Sequence, residues 1–140
     1  MRFRGRGAGK PRPRPRMHRV DPLQSDVDSR HGEELAEVTN GIVGLFAEYY
    51  GRGPTRAKSF LLDDTYVVTV LRDTMTTVER TLADGGHGDQ VRSVRLTFQE
   101  AMAASFKGIV EGALGRRVAS YHSQLLIDSD IGFELFVLED

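Results

Sequence analysis

Residues 57–73 read AKSFLLDDTYVVTVLRD, and the way they fold decides the architecture of the whole chain. Phe60, Leu62, Tyr66, Val67, Val68, Val70 and Leu71 supply the β-branched, aromatic and aliphatic content typical of strands. Asp63-Asp64 marks a turn, because an aspartate side chain bonds nearby backbone amides. The segment therefore predicts two strands joined by a tight turn. Tyr66, Val68 and Val70 project to one face of the second strand, and Val67, Thr69 and Leu71 to the other. Both faces are largely apolar, which predicts a central strand or one covered on both sides.

Upstream lies GRGPTRAK, residues 51–58, and before it a helical pattern. Leu35, Val38, Ile42, Leu45, Phe46 and Tyr49 recur at steps of three and four, one face of an amphipathic helix. Gly51 ends that helix without a Cβ penalty. Gly41 inside it costs about 1 kcal/mol of propensity, and its missing side chain allows close backbone packing. Ordered structure is expected to begin near residues 25–29. Downstream, Thr76-Thr77-Val78-Glu79 is a capping box for a short helix through about Leu82. After the loop ADGGHGD, residues 83–89, Asp89 opens one long helix with Val91, Val94, Phe98, Met102, Phe106, Ile109 and Ala113 on one face and Gly115 at its end. Two more strands follow, residues 117–127 and 131–138, around the turn DSD. In the last strand Ile131, Phe133, Leu135 and Val137 share one face. Glu134, Phe136 and Leu138 share the other.

The two ends of the domain echo each other. YYGRGPTRAKSFLLDDTYVVTVL parallels ALGRRVASYHSQLLIDSDIGFELFVL in order and type: a helix-ending glycine, basic residues, a strand, an Asp-containing turn, an apolar strand. The expected fold is α+β, two αββ units forming a four-stranded, mostly antiparallel sheet with helices packed on one face. Residues 25–140 are expected to form this single domain, and residues 1–24 a basic, disordered tail and linker.

Charge divides along the same boundary. Residues 1–16 carry six Arg, one Lys and no acid; with those seven charges set aside, the net −1 of the chain becomes −8 for the rest. Such an Arg/Gly/Pro arm meets phosphate backbones or anionic surfaces through nonspecific electrostatics, a weak contact expected of residues 1–19. The absence of cysteine removes disulfides and thiolate chemistry and fits a reducing cytoplasm. No apolar run reaches the roughly 18–20 residues of a membrane helix. His18, His31, His87 and His122 have no ligand spacing, and GGHG is not a phosphate-binding loop. Asp63/Asp64 and Asp128/Asp130 would hold a cation only if their turns met. The residues thus point to a non-catalytic protein with neither metal nor cofactor.

One stretch carries binding potential. Arg52, Gly53, Thr55, Arg56 and Lys58 offer charge-assisted donors, a hydroxyl and glycine amides, the equipment of an anion or partner site. A structural reading competes with it. Cations after a helix C-terminus stabilise the helix dipole with no ligand present, and that dipole disfavours an anion.

VTNGIVGLFAEYYGRGPTRAKSF, DDTYVVTVLRDTMTTVERTLADGG, VRLTFQEAM and LGRRVASYHSQLLIDSDIGFELFVLED together resemble, in order, the MpsC-like family of a Na⁺-translocating, membrane-potential-generating bacterial system. The resemblance covers residues 33–140. It implies an accessory or regulatory subunit, cytoplasmic and without a span of its own, that meets a membrane-system partner protein. It also marks Gly51 to Thr55 as a family motif. The alternative is a small enzyme or binder of an anionic metabolite using residues 51–58. Finally, helices on one sheet face leave an apolar face open, which predicts a homodimer with Tyr66, Val68, Phe136 and Leu138 at its interface.

Overall fold

A computed structural model describes residues 31–140. The expectations for the basic tail, for its contact with nucleic acid or anionic surfaces, and for an ordered start at residues 25–29 lie outside the described residues. Within them the order is α1 (Gly32–Tyr50), β1 (Arg56–Leu62), β2 (Tyr66–Arg72), α2 (Thr77–Asp84), α3 (Gly88–Ala101), α4 (Ala103–Leu114), β3 (Val118–Leu126) and β4 (Ile131–Leu138). The fold is α+β, as the sequence pattern predicts.

The strands form one antiparallel sheet in the order β1-β2-β4-β3. Each hairpin contributes two adjacent strands, and the hairpins join through the central pair β2 and β4. At the first turn Asp63 and Asp64 both take positive φ, 53° and 50°, and the Thr65 amide donates to the Leu62 carbonyl at 3.0 Å. Positive φ at both central residues of the Leu62–Thr65 turn matches the twist of the strands, and three residues, Asp63 to Thr65, separate the paired Leu62 and Tyr66. The β3–β4 turn lies at the opposite end of the sheet, since Tyr66 pairs with Val137 and Arg72 with Ile131. The two aspartate turns therefore do not meet, and each follows the turn-residue reading.

The helices cover one face. Leu35, Val38, Ile42 and Phe46 of α1 and Phe106, Val110 and Ala113 of α4 share a core with Leu61, Val67, Leu71, Val118, Phe136 and Leu138. Close approach of the two helices rests on Gly41, where a Cβ would sit 2.7 Å from Ile109 Cγ2. A smaller cluster of Met75, Val91 and Leu125 lies under α2 and α3.

Two expectations are corrected. The single helix after residue 89 is two helices, broken at Met102 (φ −100°, ψ 8°), and its N-terminal cap position is His87. The buried positions keep one helical phase through the break, so periodicity gives no sign of it. The interface set Tyr66, Val68, Phe136, Leu138 does not share a face. Val67 pairs with Phe136, so Phe136 follows Val67 onto the helix-covered side, where it is 0% exposed. Leu138 is buried there too. The β4 residues beside Tyr66 and Val68 on the uncovered face are Val137 and Leu135, followed by Phe133.

The echo between the halves extends to side chains. Gly51 and Gly115 end α1 and α4 in the left-handed conformation. The arginine after each reaches an aspartate of the first hairpin or its exit: Arg52 meets Asp73, and Arg116 meets Asp64.

Candidate functional site

The densest polar constellation sits where β2 ends and β4 begins. Asp73, just past β2, takes φ 60°, and its amide donates to the Asp130 carbonyl at 3.0 Å. Asp130, closing the β3–β4 turn, takes φ 52°. Short polar side chains tolerate this left-handed conformation better than other non-glycine residues. The nearly buried Asp130 carboxylate accepts from the Thr74 amide (2.9 Å), the Thr74 hydroxyl (3.2 Å), the Met75 amide (3.2 Å) and Arg80 Nη2 (2.9 Å). It thereby pins the loop that leads into α2. Thr76 then caps α2: its hydroxyl accepts from the Glu79 amide, and Glu79 accepts from the Thr76 amide.

Behind the loop lies Arg95 on α3, 2% exposed. Its Nε and Nη2 donate to the two Glu79 oxygens at 2.7 Å each, and Nη2 also donates to the Thr74 carbonyl at 2.8 Å. The guanidinium carbon lies 4.0 Å from the Tyr50 ring centre, a cation–π contact. Burial opposes ionisation of Glu79, but the Arg95 bonds and the Thr76 amide outweigh it and hold the carboxyl below its ordinary value. Burial likewise pulls against the Arg95 charge, and the Glu79 bond, with the groups around it, raises its pKa instead.

In front of the loop, Arg52 donates to the Met75 carbonyl (2.7 Å) and to Asp73 (3.2 Å), while Arg80 bridges Asp73 (3.0 Å) and Asp130. Charges alternate along Arg52, Asp73, Arg80 and Asp130. An open cleft of about 320 Å³ lies over them, bounded further by Thr77, Thr81 and Asp84.

The stretch 51–58 is split by this arrangement. Arg52 joins the cluster. Gly53 packs on α1, where a Cβ would lie 3.3 Å from Val43 Cγ1. Thr55 extends the β1–β2 ladder, its amide donating to the Arg72 carbonyl at 3.0 Å. Arg56 and Lys58 lie on the uncovered face of β1, opposite Arg72 and Val70, and Lys58 Nζ sits 5.2 Å from the Phe60 ring centre. The three cations do not converge on one point.

A second polar row crosses the helix-covered face. Thr39 donates to the Leu35 carbonyl, so Ser59 donates to Thr39 (2.7 Å), and Thr69 to Ser59 (2.7 Å). Thr69 pairs with Glu134, which pairs with Ser123. Glu134 is 1% exposed and accepts from the Tyr121 hydroxyl and from Ser123 Oγ (2.9 Å). Burial pushes its carboxyl up to about 7, against these hydrogen bonds and the more distant Arg95. Burial also raises Tyr121, with Glu134 adding to it.

Sequence reasoning singled out neither Arg95 nor Glu134 as a site residue. The signals were present: Arg95 and Gln99 stand four and eight residues from Val91 on a core-facing stripe, and Glu134 shares strand parity with Phe136 and Leu138.

The model of a family described as Na⁺-translocating membrane potential-generating system (MpsC) matches residues 20–140. No curated protein and no solved structure matches the chain.

Proposed function

The chain belongs to the MpsC family, and on that premise we propose that it is a non-catalytic accessory or regulatory module of a membrane ion-translocating system, acting from the cytoplasmic side as a homodimer. The family match carries the association with that system. Among the described residues no helix is long and apolar enough to cross a membrane. α1 and α4 instead spend their apolar stripes on the sheet and on one another, which suits a part that works by contact with the system rather than by lending it a pore-lining helix.

The cleft supports the same reading. An anionic metabolite held there would have to draw Arg52 and Arg80 away from Asp73, and Arg80 from Asp130 as well. That exchange offers little gain, because each guanidinium already has a carboxylate partner. The ion pairs are better suited to holding the β2–α2 loop in one shape.

Membrane vesicles from cells lacking the chain provide the test. Adding back the purified protein should restore Na⁺-dependent potential, read with a voltage-sensitive dye, in a saturable and stoichiometric way. Vesicles that respond identically with and without the protein would overturn the accessory role. A substoichiometric amount that acts fully over time would overturn the non-catalytic one.

A further inference from the structure

The sheet face turned away from the helices has no part in the charge cluster. At its centre β2 presents Tyr66, Val68 and Val70, paired with Val137, Leu135 and Phe133 of β4. Tyr66 and Phe133 remain 41% and 36% exposed. The edge strands are mixed, Arg56 and Lys58 with Phe60 and Leu62 on β1, and Ser120, His122 and Gln124 with Leu126 on β3. An apolar centre that is continuous to the sheet edges and bordered in part by polar groups differs from scattered surface apolar residues and suits a protein–protein contact.

Charge selects the occupant. Arg56, Lys58 and Arg72 gather at one corner, and the strand residues that share their face include no acid. Acids stand just past the strand ends at its rim: Asp63 and Asp64 past the Leu62–Tyr66 end, Asp128 past Leu126, Glu139 past Leu138, and Asp73, already paired with Arg52 and Arg80, past Arg72. A second copy stacked face to face about a twofold axis satisfies both demands. With the axis across the strands, the Arg56 end of β1 lies over the Leu62 end of the other β1, beside Asp63. With the axis along the strands, β1 lies over the other β3, which puts Arg56 over Leu126, beside Asp128. In each case apolar β2 and β4 meet their counterparts, and the cation corner reaches an acidic turn.

From this self-complementarity we infer that two copies of the chain join through this sheet face. The inference rests on the homodimer reading above and fixes which surface makes the contact. Four strands spaced about 4.8 Å apart and roughly 23 Å long cover on the order of 440 Å² of plane per copy. A flat footprint of that size is small beside the roughly 800 Å² of accessible surface per partner in a standard interface, which fits a weak or transient pair rather than a permanent one.

Sedimentation equilibrium of the full chain, from roughly 1 to 100 µM, should show association toward twice 15.6 kDa. Leu135→Glu should hold the mass at the single-chain value with an unchanged circular dichroism spectrum, because Leu135 lies outside the helix-covered core. Should that variant fail to fold, Leu135→Cys replaces it. The chain has no cysteine of its own, so any disulfide joins two copies, and a residue near the axis should form one readily. A wild type that stays monomeric at 100 µM overturns both the dimer and the face. In that case a Leu135→Glu variant with a lowered melting temperature would assign the face to residues 20–30 of the same chain, and an unaffected one to another protein. A dimer indifferent to Leu135→Glu, with no Leu135→Cys disulfide, keeps the homodimer and overturns the face. The vesicle measurement stands apart from each of these results.

Discussion

Glu134→Gln should make the protein more stable at pH 8 while leaving it nearly unchanged at pH 5. The carboxyl is enclosed by the sheet and helices, accepts from Tyr121 and Ser123, and has only the more distant Arg95 as a counter-charge. Its pKa is raised from 4.5 to about 7, with burial as the main cause. The folded protein therefore holds this proton more tightly than the unfolded chain does. The stability it contributes is complete below pH 4.5 and is lost as the pH rises to about 7. At 1.36 kcal/mol per unit, ionisation above pH 7 costs about 3 kcal/mol, reached at up to about 1.4 kcal/mol for each pH unit. Glutamine has the same shape and keeps a carbonyl for Tyr121 but never ionises. Urea unfolding of both proteins at pH 5, 6, 7 and 8 reads the difference directly, with an unchanged m-value showing that the unfolded state is the same. Glu79, whose pKa is lowered, loses its contribution as the pH falls through the acidic range and so does not disturb this window. Parallel profiles for wild type and variant, or a variant weaker at pH 8, would show that the hydroxyl donors stabilise the carboxylate more than burial destabilises it.

Arg95→Met should destabilise by about 3 kcal/mol or more, because Glu79 is left as a buried charge without its partner; adding Glu79→Gln should recover much of the loss in a double-mutant cycle read by denaturant unfolding. Gly41→Ala should lower the melting temperature despite alanine's better helix propensity: the Cβ, 2.7 Å from Ile109 Cγ2, forces α1 from α4 at a cost of about 1–3 kcal/mol, against a gain near 1. Arg52→Ala should cost only about 1 kcal/mol, since its pair with Asp73 is partly exposed and solvent-screened, and the loss should be the same with or without phosphate in a thermal-shift measurement.

The first helix was legible from its apolar period of about 3.6 residues, and the strands from β-branched, aromatic and aliphatic runs on either side of Asp-containing turns. Residues 57–73 give two strands and their turn, and Leu35, Val38, Ile42 and Phe46 give the buried stripe of α1. The break at Met102 was not, because the backbone departs from helical angles there without shifting the phase of the buried positions, and no glycine or proline marks it. The charge cluster was legible only in fragments. Thr76 and Glu79 could be read as a capping box, since that motif is local. Asp130 lies 56 residues from the Thr74 amide it accepts from, and Arg95 lies 16 from Glu79, so their pairing is a product of topology. Phe136 and Leu138 were assigned to the wrong face for a related reason. Alternation sorts a strand into two sets, but only the register with Val67 shows which set the helices cover.

Among the described residues, β1 and β3 are the outer strands of the sheet. A flat, uncharged margin invites another strand to pair with it, and head-to-tail pairing of that kind has no natural end. Here β1 carries Arg56 and Lys58 along its margin, and β3 slips register between Val118 and Ser120, which kinks its ladder. Identical β1 margins repel each other, and the irregular β3 margin is a poor template. High local concentration favours such runaway polymerisation. With both outer strands guarded in this way, pairing through the broad face, as inferred above, would close growth at two copies, so that crowding would fill pairs instead of extending fibres.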